Sequence, residues 1–258
     1  PLSTWLPARS DVPVLGPWLV YDEVAYLFSY AGVAYDLTIP FLLWWSRTRP
    51  LAFLAVIIFH GLTALLFPIG LFPWIMIVGS LVFFTDADYT RLLGRFVKSP
   101  SSTARSRTVP PWLLVVLAAY FCVQVVLPLR RFAYAENQLW TERHYRFGWN
   151  VMLAEKMGAA TFTIRDPATQ RRWVAYPSAD LSRIQEKQMA YQPDMIWQYA
   201  RHLGRRYGEE HDIALPEVYV DVWVSFNGRP SRRYLPETLD LLTVSRSEVY
   251  DWVLPAPP

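Results

Sequence analysis

Two ionisable side chains lie where such groups are costly. Asp36 falls in an apolar run over residues 24–45, and His60 in another over residues 51–84. Within lipid, an acid or an imidazole must find a partner or face a cavity, and one so placed can bind a ligand or move a proton. The same residues also fit a structural Asp–His or Asp–Tyr hydrogen bond between helices, and residue type leaves both roles open. A third constellation, His144-Tyr145-Arg146-Phe147-Gly148-Trp149-Asn150, follows the last apolar run. Its rings, cation and amide suit a pocket for a flat aromatic ligand at the membrane surface, or an interfacial aromatic belt where a folded domain begins. His202 and His211 lack Cys or carboxylate neighbours at metal-ligand spacing, so no metal is expected. There is no Gly-rich phosphate loop and no hydrolase nucleophile elbow.

The elements that must position these groups follow from length and charge. One helix over residues 51–84 would be ~50 Å long, against a hydrocarbon core of ~30 Å. The run must turn back, and Pro68-Ile69-Gly70-Leu71-Phe72-Pro73 breaks helix continuity. This predicts spans over residues 24–45, 51–67, 69–84 and 112–129, the middle two forming a hairpin with slightly short arms. Residues 1–19 read as a Pro-rich interfacial loop anchored by Trp5 and Trp18. The loops at 46–50 and 85–110 together hold seven Lys/Arg (Arg47, Arg49, Arg91, Arg95, Lys98, Arg105, Arg107), against Arg9, Arg130 and Arg131 on the opposite side. The positive-inside bias puts the two basic loops in the cytoplasm and the C-terminal half outside it.

Composition agrees. Of 258 residues, 53% are hydrophobic and 16% aromatic, and the long uncharged runs crowd into the first 130. A net charge of +3 is accounted for by the basic loops of a membrane protein, so no nucleic-acid partner is expected. Cys122 is the single cysteine, which rules out an intramolecular disulfide. The chain opens at Pro1 without Met, and it is expected to be N-terminally incomplete.

From Ala133 onward the pattern is that of a small α+β domain. Residues 161–165 and 172–176 read as strands joined by an Asp166-Pro167 turn, and Pro193 opens an amphipathic helix carrying Ile196, Tyr199, Ala200 and Leu203. Residues 218–226 alternate strictly, with Asn227-Gly228 as a hairpin turn toward 232–235. Arg229, Arg232 and Arg233 read as a solvated hairpin edge. The expected division is a transmembrane domain over 1–132, an extramembrane domain over 133–246, and a loose Pro-rich tail over 247–258.

Three stretches together resemble one family. Phe59-His60 with Leu66-Phe67-Pro68-Ile69-Gly70-Leu71-Phe72-Pro73, the segment Tyr145 to Leu153, and Pro216 to Asn227 are similar to the vitamin K-dependent gamma-carboxylases, whose bacterial relatives share the horizontally transferred transmembrane domain. The resemblance spans roughly residues 20–240. It implies reduced vitamin K of the menahydroquinone type as cofactor, O2 and CO2 as co-substrates, and a glutamate-containing peptide or protein as substrate. In that family the hydroquinone is deprotonated and reacts with O2 to give an alkoxide that takes a γ-proton from glutamate. The carbanion adds CO2, and the quinone leaves as its epoxide. The lysine that starts this reaction lies upstream of the region matched by Pro1, so this chain alone is expected to be inactive. Ala154 stands where animal members carry a histidine.

On this resemblance, Asp36 and His60 support the hydroquinone cavity, Tyr145, Arg146, Trp149 and Asn150 bind the cofactor at its mouth, and Asp221 and Trp223 bind the peptide along the 218–226 strand. The expected setting is a bacterial inner membrane. A quinone epoxidase without peptide carboxylation and a non-catalytic membrane-anchored binding module are the alternatives.

Overall fold

The computed structural model describes residues 1–93, 109–134, 137–148, 150 and 152–256, with backbone only at 91–93. It divides into two compact units, Leu2–Thr108 and Val109–Pro258.

The first unit starts with α1 (Leu2–Trp5) and two 3-10 turns, Pro7–Arg9 and Gly16–Trp18. This stretch is built of short helical turns that pack on the helices. Leu6, Val12 and Leu19 are buried with Ala25 and Leu66, and Arg9 Nη2 donates to the Leu65 carbonyl at 2.9 Å. The apolar residues between the prolines supply enough buried surface to dock it. Next comes α2 (Asp22–Trp44), whose Asp22 and Glu23 complement the positive helix start. Pro40 lies inside α2 and lacks the N–H that would bond to the Asp36 carbonyl. α3 (Arg49–Leu66) ends where Phe67 turns extended, and Gly70 adopts φ +63° in the turn. The return arm is α4 (Phe72–Gly79) plus the 3-10 turn Ser80–Phe83. It is therefore shorter than the expected 69–84 span, because the turn takes residues up to Leu71. α5 (Asp86–Leu93) follows. Buried Arg49 donates from Nε to the Leu43 carbonyl at 2.9 Å, from Nη2 to the Trp44 carbonyl at 3.2 Å, and from Nη1 to Asp88, closing the end of α2. Arg95, Lys98, Arg105 and Arg107 lie outside the described residues.

The second unit begins with α6 (Pro111–Leu129), none of whose residues is buried. Among the described residues three helices, Asp22–Trp44, Arg49–Leu66 and Pro111–Ala133, are long and apolar enough to cross a membrane, and Phe72–Phe83 is a shorter apolar helix. This is a multi-span helical membrane protein followed by an α+β domain.

That domain contains α7 (Gln138–Thr141), β1 (Lys156–Arg165), β2 (Arg172–Ala175), α8 (Arg183–Met189), α9 (Pro193–His211), β3 (Glu217–Phe226) and β4 (Arg232–Arg233). The strands form one antiparallel sheet in the order β2-β1-β3-β4, with Phe162 opposite Val220 and Trp223 opposite Arg233. Ile196, Ala200 and Leu203 of α9 join Phe162, Ile164 and Val218 to Val224 of the even face in one core. The odd residues of β3 lie on the open face, as the alternation requires. Ser182 and Gln185 form a capping box that starts α8. At Gly158 a Cβ would come within 2.3 Å of the Ala190 carbonyl oxygen, so only glycine lets β1 pass the α8–α9 link. The C-terminal stretch is not loose. Val249 is fully buried, Leu254 N–H donates to the Tyr234 carbonyl at 2.9 Å, and Trp140 Nε1 donates to the Leu254 carbonyl at 2.7 Å. Glu248–Trp252 forms a 3-10 turn that carries Val249 into the core.

Candidate functional site

In the membrane unit, α3 carries His60 into a buried position with its Nδ1 unpartnered. Three rings surround it. Tyr35 and Phe59 stack with centroids 3.9 Å apart, and Phe59, Tyr35 and Phe72 meet the imidazole edge-on at 5.3, 6.1 and 6.1 Å. Asp36, one residue past Tyr35, is exposed, and among the described residues it makes no hydrogen bond to His60. The two groups singled out by sequence are therefore near one another without being joined.

In the other unit, the constellation at 144–150 is a strained loop. Glu142, His144, Phe147 and Met152 all have positive φ, between 55° and 62°. Non-glycine residues hold this conformation only where surrounding contacts over-determine it, and such clusters gather at functional sites. The contacts here are identifiable. Arg130, at the end of α6, donates to the carbonyls of His144 and Arg146, and Arg131 Nη1 reaches Asn150 Oδ1 at 3.3 Å. Tyr145 OH donates to the Asn150 carbonyl at 2.5 Å, and Tyr134 stacks on His144 at 4.1 Å. Gly148 has no room for a Cβ, which would lie 2.6 Å from Asn150 Nδ2 and 2.9 Å from the Tyr145 carbonyl oxygen. Asn150 is buried and tied to its neighbours, whereas Arg146 is half exposed. Trp149 lies outside the described residues.

Arg146 is held from below. Its Nη1 and Nη2 donate to Asp194 at 2.6 and 3.1 Å, Nη2 also reaches Gln192 Oε1 at 3.1 Å, and Arg246 Nη2 donates to the same Asp194 carboxylate at 2.9 Å. Asp194 is almost fully buried. Burial alone would push its carboxyl up, but the hydrogen bonds and charges of Arg246 and Arg146 outweigh it and hold the carboxyl below the usual range.

Beside the loop sits a group the sequence reading passed over. Lys156 has 4% side-chain exposure, and its Nζ donates to the Trp140 carbonyl at 2.7 Å, Glu142 Oε1 at 3.0 Å, the Tyr191 carbonyl at 3.1 Å and Tyr234 OH at 3.2 Å. Burial brings its ammonium down to about 8 despite Glu142, and pushes Glu142 up despite Lys156. The signal was available: Lys156 shares the period-2 face of Phe162 and Ile164, so its side chain is aimed at the core.

On the open sheet face, Asp221 and Trp223 come together. Trp223 Nε1 donates to Asp221 Oδ1 at 2.9 Å, Arg233 lies 5.2 Å over the indole, and Trp223 stays 42% exposed. A cleft of about 460 Å³ adjoins them, lined by Thr163, Arg165, Arg172, Tyr219, Asp221 and Glu237 among others. β3 is not free to add a strand: β1 pairs one edge, and Tyr234 and Leu241 bond to Val222 and Val218 on the other. β3 therefore has no free edge at which a further strand could pair.

Apolar helices of spanning length, followed in the chain by a folded α+β domain, define a multi-span membrane protein with an extramembrane domain. Residues 109–258 match the family model described as the vitamin K-dependent gamma-carboxylase lumenal domain, and residues 1–88 match the HTTM domain. The chain belongs to the vitamin K-dependent gamma-carboxylase family. The lumenal description agrees with the side to which the charge bias assigns the C-terminal domain. No solved structure matches the chain.

Proposed function

We propose that the protein acts as a vitamin K-dependent gamma-glutamyl carboxylase, coupling epoxidation of a reduced quinone by O2 to addition of CO2 at the γ-carbon of a peptide glutamate. Beyond family membership, one observation carries this reading: the buried, unpartnered Nδ1 of His60 among Tyr35, Phe59 and Phe72. An unsatisfied buried polar atom beside flat apolar walls fits a planar ring bearing a polar oxygen. When bound, the reduced quinone supplies, with O2, the strong base that the proton abstraction needs. His60 Nδ1 would hold a proton against a quinone oxygen, and the three rings would exclude water that quenches strong bases. Asp36 sits beside this box, where Pro40 frees its carbonyl. Tyr145, Arg146 and Asn150, with Trp149, keep the cofactor-binding role that the resemblance implies, and Asp221 and Trp223 the peptide-binding one.

The test reconstitutes the full-length gene product, with the upstream segment that supplies the lysine, in nanodiscs with a reduced naphthoquinone, O2, a Glu-rich peptide and labelled CO2, and follows epoxide and acid-stable label together. Both products are expected. Epoxide without label selects a quinone epoxidase, and neither product from folded protein selects a binding module.

A further inference from the structure

The end of α6 and the strained loop share a concentration of positive charge, of which the proposed chemistry uses Arg146 alone. Arg130, Arg131, Arg143, Arg146 and Arg246 gather here; Arg146 and Arg246 share Asp194, Arg143 pairs with Asp251, and Lys156 and Glu142 form their own ion pair. The cluster is tied to the end of the span. Arg130 bonds to the carbonyls of His144 and Arg146, Arg146 shares Asp194 with Arg246, and Arg143 pairs with Asp251 and lies 5.7 Å over the Tyr250 ring. Exposed Phe132 and Tyr134 mark the height of the membrane interface beside it. Two guanidiniums on one buried carboxylate leave a net positive charge in a fixed place, and Arg246 keeps 61% side-chain exposure with only Nη2 on Asp194.

We propose that this juxtamembrane arginine cluster, centred on Arg246, binds the phosphate headgroup of an anionic phospholipid. The chemistry is that of guanidinium with phosphate, which matches charge and fork geometry. Position selects the lipid, because the phosphates that a cluster at the end of a span meets are those of the bilayer surface. Asp194 preorganises the site: its hydrogen bond holds the Arg246 guanidinium firmly charged, so the cation is in place before a headgroup arrives.

The experiment uses the whole chain in nanodiscs of mixed phosphatidylcholine and phosphatidylglycerol, released into detergent for native mass spectrometry of retained lipid. Wild type is expected to retain phosphatidylglycerol in preference. Arg246→Gln should lower that preference by about tenfold, the step that a loss of about 1.4 kcal/mol produces. Arg246→Lys should keep part of it, Arg143→Gln should weaken it less, and Arg232→Gln, at the distant hairpin, should leave it unchanged. Equal retention of the two lipids by wild type would overturn the proposal, as would an undiminished preference in folded Arg246→Gln. Stabilisation by inorganic phosphate alone, as large as that by phosphatidylglycerol, would overturn the lipid assignment in favour of a free-anion site.

Discussion

His60 and Lys156 are both buried nitrogen-bearing side chains, one in each unit, and the protein treats them oppositely. Lys156 meets four acceptors drawn from three separate stretches of chain, 140–142, 191 and 234. His60 meets rings and leaves Nδ1 unpartnered. A buried donor with every direction filled is locked and has nothing left for a ligand. A buried polar atom left open costs stability and is retained where something else binds it. On the proposed function, the difference leaves structure to the lysine and chemistry to the histidine.

Breaking the lysine should give the largest effect. Lys156→Met leaves Glu142 buried without its cation and should destabilise the domain by about 3–5 kcal/mol, measured by denaturant unfolding. Lys156→Met with Glu142→Gln should cost less than the two single changes added together, since the pair is coupled. The pH dependence carries a sign. Between pH 8 and 10 the unfolded chain holds the lysine proton and the folded protein has lost it, so stability should rise with pH across that window. A flat profile in wild type would contradict burial of the ammonium.

His60→Phe should behave in the opposite way. No hydrogen bond is lost at Nδ1, so stability should change by less than about 1 kcal/mol. Epoxide formation should fall about 100-fold, the lower end of what a positioned acid–base group contributes. A large loss of stability with little loss of turnover would reverse the assignment of the two residues.

Gly148→Ala sharpens the comparison at the strained loop. The new Cβ would press on the Tyr145 carbonyl and the Asn150 amide, which are both fixed, and overpacking of this kind costs about 1–3 kcal/mol. Loss of activity with the sheet intact by amide exchange is expected. The reverse would make 144–150 a plain connector.

What the sequence disclosed depended on periodicity. The alternation of β3, the first helical position at Pro193 and the break at Pro68–Pro73 are local signals, and the structure places each where the pattern put it. The burial of Leu6 and Leu19, the docking of Val249 and the sharing of Asp194 by two arginines join residues distant in sequence, and no local pattern encodes them. At the candidate site, residue types pointed to His60 and to 144–150. The four positive-φ positions and the absence of an Asp36–His60 bond needed coordinates. Lys156 lay between: it precedes the strand read at 161–165, and only the full β1 register from Lys156 to Arg165 puts it in phase with Phe162 and Ile164.

The smallest effect expected is at Trp223, and it tests the other side of the comparison, an exposed residue in place of buried ones. Trp223 contributes its indole to the open face, with one hydrogen bond to Asp221 and a guanidinium over the ring. Its removal leaves the α9-side core untouched, so Trp223→Ala should shift unfolding stability by no more than about 0.5 kcal/mol, as surface changes do. If the peptide lies on this face, the same change should weaken binding of a labelled Glu-rich peptide by about tenfold, which is about 1.4 kcal/mol, with turnover at saturating peptide unchanged. Since β3 has both edges taken, that weakening would reflect lost side-chain contact rather than a lost strand pairing, and Arg172→Gln in the adjoining cleft should reproduce part of it. Unchanged affinity in both variants would move the peptide off the sheet, and leave the loop at 142–152 as the place to look for it.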